Sequence, residues 1–229
     1  MARILCIETS TTVCSVSLSI DGKAIFNQET DEGYSHAEKL ALFVGDVMDS
    51  ADLELSSLNA IAAGSGPGSY TGMRIGLSTA KGLCYSLDKP LIAVPTTRSM
   101  TLGAITVLKE HGKADENTLF CPMIDARRME VYCEVYDINL KHVYHLSADV
   151  IDSNSFSELL KHHKVYFFGD GAAKCASLFE SNPNADFSFN ARASSEWMAP
   201  LAEQAFSETK FEDLALFEPN YFKEFRSGK

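Results

Sequence analysis

Several signatures of common chemistry are missing from this 229-residue chain. No apolar run reaches the about 18–20 residues that a helical membrane span requires. The six cysteines, Cys6, Cys14, Cys84, Cys121, Cys133 and Cys175, are scattered, with no C-x-x-C pair. That spacing excludes the usual zinc frames and fits buried free thiols in a reducing compartment. Basic residues are few: 20 Lys and Arg stand against 31 Asp and Glu, a net charge of −11. The densest basic stretch is the tail with Lys223, Arg226 and Lys229. Nucleic-acid affinity rests on clustered cations meeting phosphates, so independent binding to nucleic acid is expected to be weak.

Catalytic signatures are equally thin. Gly66-Pro67-Gly68-Ser69-Tyr70 is not a G-x-S-x-G elbow, so Ser10, Ser69 and Cys84 read as turn or core residues. No Lys-Ser or Lys-Thr follows the glycines at 64–72, which excludes a Walker A loop. A helical metal pair needs a second histidine four residues after His36, and that position is Leu40. His162 and His163 are adjacent and diverge on a helix. His142 and His145, three apart on an expected strand, are expected to face opposite ways. The N-terminus, MARILCIE, is too short and too soon acidic for a secretory leader and is expected to be a strand. A cytoplasmic location is the expectation.

What is present centres on residues 64–82, GSGPGSYTGMRIGLSTAKG. Glycine at this density permits close backbone approach, so something packs directly on this loop. The helix expected over 71–87 carries only Arg74 and Lys81 as charges. Small residues recur four apart in two rows: Gly68, Gly72, Gly76 and Ala80, then Ser78, Gly82 and Ser86 after Arg74. A helix that is small or apolar all round is buried on more than one side. A core on one side and a partner on the other would satisfy it, and the sequence leaves open which row faces which.

Along the chain, strands are expected at 3–8, 13–20 and 23–30, with Asp21-Gly22 as a hairpin turn. A helix over 35–51 has an apolar face of Ala37, Leu40, Ala41, Val44, Val47 and Met48. Ser35 with Glu38 suggests a capping box. Then come strand 59–65, helix 71–87, strand 91–94 and a helix opened by Pro95-Thr96-Thr97. The pattern repeats: strands 119–125, 129–136 and 141–149, helix 155–162, strand 164–168, a helix from Gly169-Asp170-Gly171 to about Glu180, and a last helix over 194–207. Two βββαβα units imply a pseudo-duplicated α/β fold with mixed sheets, the lobes being 1–112 and 113–229. Helix 194–207 has the option of packing back on the first lobe. The tail after Phe217 is expected to be extended, because Pro219 biases Glu218 away from helix.

Two turns are candidates for anion or nucleotide loops. One is the hydroxyl-rich turn Thr9-Ser10 with the loop residues Gly66, Gly68 and Ser69 at a helix N-terminus. The other is Gly169 and Gly171, between a strand and a helix. Both also read as plain turns, since hydroxyls and glycines are common turn formers.

The motifs IETST, HAEKL, AAGSGPGSYTGMRIGLSTAKGL, VPTT, IDARRMEVY and EPNYF, in this order, resemble the TsaB (YeaZ) family end to end. The resemblance implies the actin-like, sugar-kinase-like (ASKHA) fold, built of two ribonuclease-H-like lobes. It implies a non-catalytic partner of TsaD, a metalloenzyme that transfers threonylcarbamoyl to the adenine beside the anticodon of tRNAs reading codons that begin with A. A small ATPase, TsaE, joins the pair. No cofactor is expected on this chain; ATP or ADP and metal are expected on TsaD or at the TsaB–TsaD–TsaE junction. By resemblance, the two long N-terminal helices dock on TsaD. Their expected contact residues are His36, Lys39, Leu40, Phe43 and Val47 on the first, and Met73, Arg74, Gly76, Leu77, Ser78, Ala80 and Lys81 on the second. The same surface is expected to pair two copies of the chain when TsaD is absent. A rival reading is a nucleotide-dependent phosphotransferase of the same fold, with Glu8, Asp125 and Asp170 as its acids. A peptidase is the third, disfavoured by Leu40 and the absent elbow.

Overall fold

The computed structural model describes residues 1–33 and 35–222. In chain order the elements are β1 (Arg3–Glu8), β2 (Cys14–Ile20), β3 (Lys23–Thr30), α1 (His36–Ser50), β4 (Ala60–Gly64), α2 (Tyr70–Leu87), β5 (Leu91–Val94) and α3 (Thr96–Glu110). They are followed by β6 (Thr118–Asp125), β7 (Glu130–Tyr136), β8 (His142–Val150), α4 (Ser157–Leu160), β9 (Lys164–Phe168), β10 (Ala185–Asp186) and α5 (Ala199–Ser207). No described helix is long and apolar enough to cross a membrane.

β1 is apolar on both faces because it is central and covered on both sides. The first sheet has the order β3-β2-β1-β4-β5, with β1 antiparallel to β2 and parallel to β4. Alternation along β1 sends Leu5 and Ile7 to one face and Ile4 and Cys6 to the other. Leu5 and Ile7 meet Leu40, Val44 and Val47 of α1 and Leu77, Ala80 and Cys84 of α2. Ile4 and Cys6 meet Met198 and Ala202 at α5. Asp21 and Gly22 close the β2–β3 hairpin at φ 50° and 74°, as the turn signal requires.

The second sheet repeats the plan as β8-β7-β6-β9-β10, with β6 antiparallel to β7 and parallel to β9. Its core gathers Leu119, Met123, Val131, Phe167, Cys175 and Phe179, and Phe167 stacks on Phe179 and Phe187 at 5.6 and 4.8 Å. Each sheet is thus the ribonuclease-H-like arrangement that the resemblance implies. All six cysteines are free and buried.

Several expectations are corrected. The two compact units are Met1–Ser99 with the chain from Ala193 on, and Met100–Arg192, so the division at 112/113 is displaced. The reason is the apolar face of α5, which returns to the first sheet and leaves no second-unit role for it. The helix at 194–207 is a 3-10 turn, Ser195–Met198, leading into α5. The helix after Gly171 is a 3-10 segment, Ala173–Phe179, in which Cys175 and Phe179 are buried. Helix 155–162 shrinks to α4, and the two-residue β10 was not expected. The capping box at Ser35 does not form: Ser35 has φ −90° and ψ 0°, its hydroxyl is buried without a partner, and Glu38 N–H bonds the Ser35 carbonyl instead. The cap lies on α2, where Ser69 Oγ accepts from Gly72 N–H at 3.2 Å. His142 and His145 face the same way, their rings 5.3 Å apart, because the β7–β8 register slips between Cys133 and Tyr136. The expected extended tail is non-helical to Phe222; its basic residues Lys223, Arg226 and Lys229 lie outside the described residues.

Candidate functional site

The glycine loop closes on the chain's own first hairpin. Glu8 ends β1 fully buried, and Gly64 ends β4 so close beside it that an added Cβ would lie 2.4 Å from Glu8 Oε2. Ser10 N–H donates to Glu8 Oε1 at 2.8 Å, and Thr96 Oγ1 lies 2.9 Å from Glu8 Oε2. Thr96 Oγ1 also meets Ser10 Oγ at 3.0 Å and accepts from Gly66 N–H at 3.3 Å. Burial pushes the Glu8 carboxyl above its ordinary value, and the hydrogen bonds from Ser10 and Thr96 pull the other way.

Thr9 and Ser10 are filled in the same manner. Thr9 Oγ1 donates to the Gly72 carbonyl at 2.8 Å, and Ser69 N–H donates to the Ser10 carbonyl at 2.7 Å. A Cβ on Gly68 would fall 2.1 Å from the Ser10 carbonyl, and one on Gly76 would fall 2.2 Å from Thr9 Oγ1. The row Gly68-Gly72-Gly76 is therefore small so that helix α2 can lie against the hairpin. The approaching body inferred from the glycines is this hairpin. Of the candidate anion loop Thr9, Ser10, Gly66, Gly68 and Ser69, Thr9 and Ser10 are buried with their polar groups bonded within the chain, while Ser69 is exposed and caps α2. In the sequence Thr96 marks only the start of a helix; in the structure its hydroxyl is the second hydrogen-bond partner of the Glu8 carboxyl.

The expected contact residues divide. Leu40, Val47, Met73, Leu77 and Ala80 are buried in the chain's own core, as are His36 and Gly76. As contact side chains for a partner, these are corrected. His36 Nε2 is held between the Thr11 and Val13 carbonyls at 3.0 and 3.3 Å. Leu40, one turn on, is only 2% exposed and packs into the core. This pair does not fit a metal ion, and no group of three or more His, Cys, Asp or Glu side chains suited to one occurs among the described residues. Lys39, Phe43 and Lys81 are half-buried, while Arg74 and Ser78 are exposed. Leu42, at 61% exposure, and Tyr85, at 84%, add apolar surface to the same two helices.

A strap after α5 runs along α2. Glu212 N–H pairs with the Leu91 carbonyl, Leu214 and Phe217 pack on the core, and Asn220 N–H bonds the Ser65 carbonyl. Lys81 Nζ reaches the Ala215 carbonyl at 3.5 Å. The Arg74 guanidinium lies 4.0 Å from the Tyr70 ring centre, and its Nε donates to Tyr221 Oη at 3.0 Å. The only hint of this strap in the sequence was the EPNYF motif.

In the second unit, Gly169 (φ 102°) and Gly171 lie against β6, where added Cβ atoms would fall 2.4 Å from the Met123 carbonyl and 2.9 Å from the Ile124 carbonyl carbon. Close strand packing accounts for both glycines of the second candidate turn. Asp170 Oδ1 accepts from Asp125 N–H at 3.0 Å, and burial raises its carboxyl. Asp125 is ion-paired with Lys174, whose Nζ also donates to the Arg128 and Glu130 carbonyls at 2.8 and 2.7 Å. Lys174 was not anticipated. The two acids that a phosphotransferase would use are thus committed to the chain's own backbone and to a lysine.

The family model that matches is TsaD, tRNA N6-adenosine threonylcarbamoyltransferase, over residues 31–227. The tRNA threonylcarbamoyladenosine biosynthesis protein TsaB of Escherichia coli K12 is 36% identical over 143 residues, 62% of this chain and 58% of that protein. Alignments to the TsaB proteins span only 51–58% of the length of the first three curated relatives. Among solved structures, YeaZ from Pseudomonas aeruginosa superposes with a TM-score of 0.72 at 26% identity, covering 96% of this chain and 100% of that one. The ADPNP-bound activator of the 2-hydroxyisocaproyl-CoA dehydratase from Clostridium difficile, at 10% identity and TM-score 0.52, covers 92% of this chain and 98% of that one, and shares the actin-like fold. The chain belongs to the family that the TsaD model describes and, within it, to TsaB/YeaZ, whose named members are tRNA threonylcarbamoyladenosine biosynthesis proteins.

Proposed function

We propose that this chain is the non-catalytic scaffold subunit of tRNA threonylcarbamoyladenosine synthesis: it binds TsaD and supports the threonylcarbamoyl transfer that TsaD performs. The observation that carries this reading is the fate of the catalytic positions. Where a metal pair would stand, His36 is locked by two backbone carbonyls and Leu40 is core. Where a phosphate-binding hairpin would stand, Glu8, Thr9 and Ser10 are buried and mutually bonded. A fold whose reactive positions are filled by packing has its surface left to act with. ATP or ADP and metal then belong to TsaD or to a junction with TsaE, not to this chain.

The partner surface is the outer face of α1 and α2: Lys39, Leu42 and Phe43 with Arg74, Ser78, Lys81 and Tyr85. The same face pairs two copies when TsaD is absent, and the chain alone binds tRNA poorly, given its net charge of −11. The test is co-purification with TsaD, followed by modification of a tRNA reading codons that begin with A, with and without this chain. Dependence of modification on the chain is the expected result. Full modification by TsaD and TsaE without it, or turnover of ATP by the purified chain alone, would overturn the reading.

A further inference from the structure

The turn between β6 and β7 carries two consecutive arginines in the left-handed region, Arg127 at φ 68° and Arg128 at φ 53°. Side chains with a Cβ are disfavoured there, and Asn or Gly is the usual occupant. The turn is firmly built nonetheless. Ala126 N–H bonds the Glu130 carbonyl at 3.1 Å, Glu130 N–H bonds the Arg127 carbonyl at 3.2 Å, and Arg127 N–H bonds Asp125 Oδ1 at 2.9 Å. Lys174 anchors it from below through the Arg128 and Glu130 carbonyls.

The charges at this tip are unbalanced. Asp125, at the start of the turn, is neutralised by Lys174. Neither guanidinium has an ion-pair partner among the described residues, and both arginines are exposed, next to Met129 at 43% exposure. Such a bare pair is held against the backbone preference at both positions. A guanidinium is always charged and forks onto phosphate oxygens. We infer that Arg127 and Arg128 form a contact for the phosphodiester backbone of RNA, used when the chain is held in its complex. This rests on the proposed role in tRNA modification, which supplies the polyanion. The field of the whole chain explains why the pair is insufficient for binding alone.

The test uses the reconstituted complex with TsaD and TsaE, and tRNA as the probe. Arg127→Asn with Arg128→Gly removes both charges while giving the turn residues suited to its backbone, so the fold is kept; melting is expected to rise by about 2–4 °C. KM for tRNA at low salt is expected to rise by about tenfold with kcat unchanged, and the slope of log affinity against log salt to fall by roughly 1.5, two phosphate contacts' worth. Arg127→Lys with Arg128→Lys should restore most of the slope. An unchanged KM and salt slope in the Asn–Gly variant would overturn the inference and leave the scaffold role standing. Loss of TsaD co-purification in that variant would overturn it in favour of an acidic protein surface. If the wild-type chain supports no modification at all, the proposed function fails and this inference fails with it.

Discussion

Helix α2 offers an internal comparison of three glycines. In a helix interior, Gly→Ala gains about 0.5–1 kcal/mol if nothing is in the way. At Gly82 an added Cβ meets nothing within 4 Å, so Gly82→Ala should be stabilising by that amount. At Gly76 the new methyl would lie 2.2 Å from Thr9 Oγ1 and 3.3 Å from Thr9 Cβ. Thr9 is buried and cannot swing into solvent, and its hydroxyl holds the Gly72 carbonyl. Overpacking typically costs about 1–3 kcal/mol, and the lost hydrogen bond about 1. Set against the propensity gain, Gly76→Ala should destabilise by about 1–3 kcal/mol. At Gly72 the obstacle is the Thr9 carbonyl itself, 2.2 Å away, and backbone yields less readily than a side chain. Gly72→Ala should therefore cost more than Gly76→Ala.

The assay is a double-mutant cycle of Gly76→Ala with Thr9→Ala, read by urea or thermal unfolding. Thr9→Ala removes Oγ1, the atom nearest the new methyl, so the double variant should be more stable than the sum of the singles by about 1–3 kcal/mol. For a chain of this length that is a shift of about 2–4 °C per kcal/mol. If Gly76→Ala raises the melting temperature as Gly82→Ala does, and the cycle adds within about 0.5 kcal/mol, then this row does not face the hairpin and the account of the glycine loop is wrong.

Ala80→Trp should lower melting by the overpacking cost of about 1–3 kcal/mol, since Ala80 is fully buried, whereas Ser78→Trp should melt like wild type yet abolish co-purification with TsaD and any homodimer. Normal folding of Ala80→Trp, or normal TsaD binding by Ser78→Trp, would refute that division of α2. Burial raises the Glu8 carboxyl above 4.5, so between that pH and its folded value the native state holds more protons than the unfolded state. Its share of stability is complete below pH about 4.5 and declines as pH rises through the window. Glu8→Gln should therefore flatten the stability profile above pH 5, and parallel profiles for the two proteins would contradict this. Elemental analysis of untagged protein should find no stoichiometric transition metal, given His36 locked by carbonyls and Leu40 in the core; one tightly held zinc or iron per chain would be the contrary result.

Much of the fold was legible because strand and helix periods differ. The run at β1, the Asp21-Gly22 turn and the helical face of α1 each carry a local signal that tertiary packing reinforces. The failures share a cause: the signal was local and the deciding interaction was not. Ser35 and Glu38 have capping-box spacing, yet the chain enters α1 with Ser35 at ψ 0°, where its hydroxyl cannot reach the helix. Strict alternation puts His142 and His145 on opposite faces, and the register shifts between Cys133 and Tyr136 reunite them. The return of α5 to the first sheet, by contrast, was an option open in the sequence, and its packing on Ile4, Cys6 and Ala62, more than a hundred residues away, is what takes it there.

The glycine loop shows the same limit at the site. Its composition demands that some atoms come very close to the backbone, and it is silent about whose atoms they are. A nucleotide phosphate and a buried Thr-Ser turn ask for the same absence of Cβ. In this chain it is the turn that lies there: Glu8 is engaged at both oxygens by Ser10 and Thr96, and Thr9 Oγ1 by the Gly72 carbonyl. The inner row of α2 is thereby committed, and the helix has only its outer face to present. The placement of that face is set by Thr9 against Gly72 and Gly76. Stability of the hairpin and presentation of Arg74, Ser78 and Lys81 are accordingly one property. Under the proposed docking role of α2, a change at Thr9 should weaken co-purification with TsaD in proportion to its loss of melting temperature, because the Thr9–Ser10 turn is the surface on which α2 is seated.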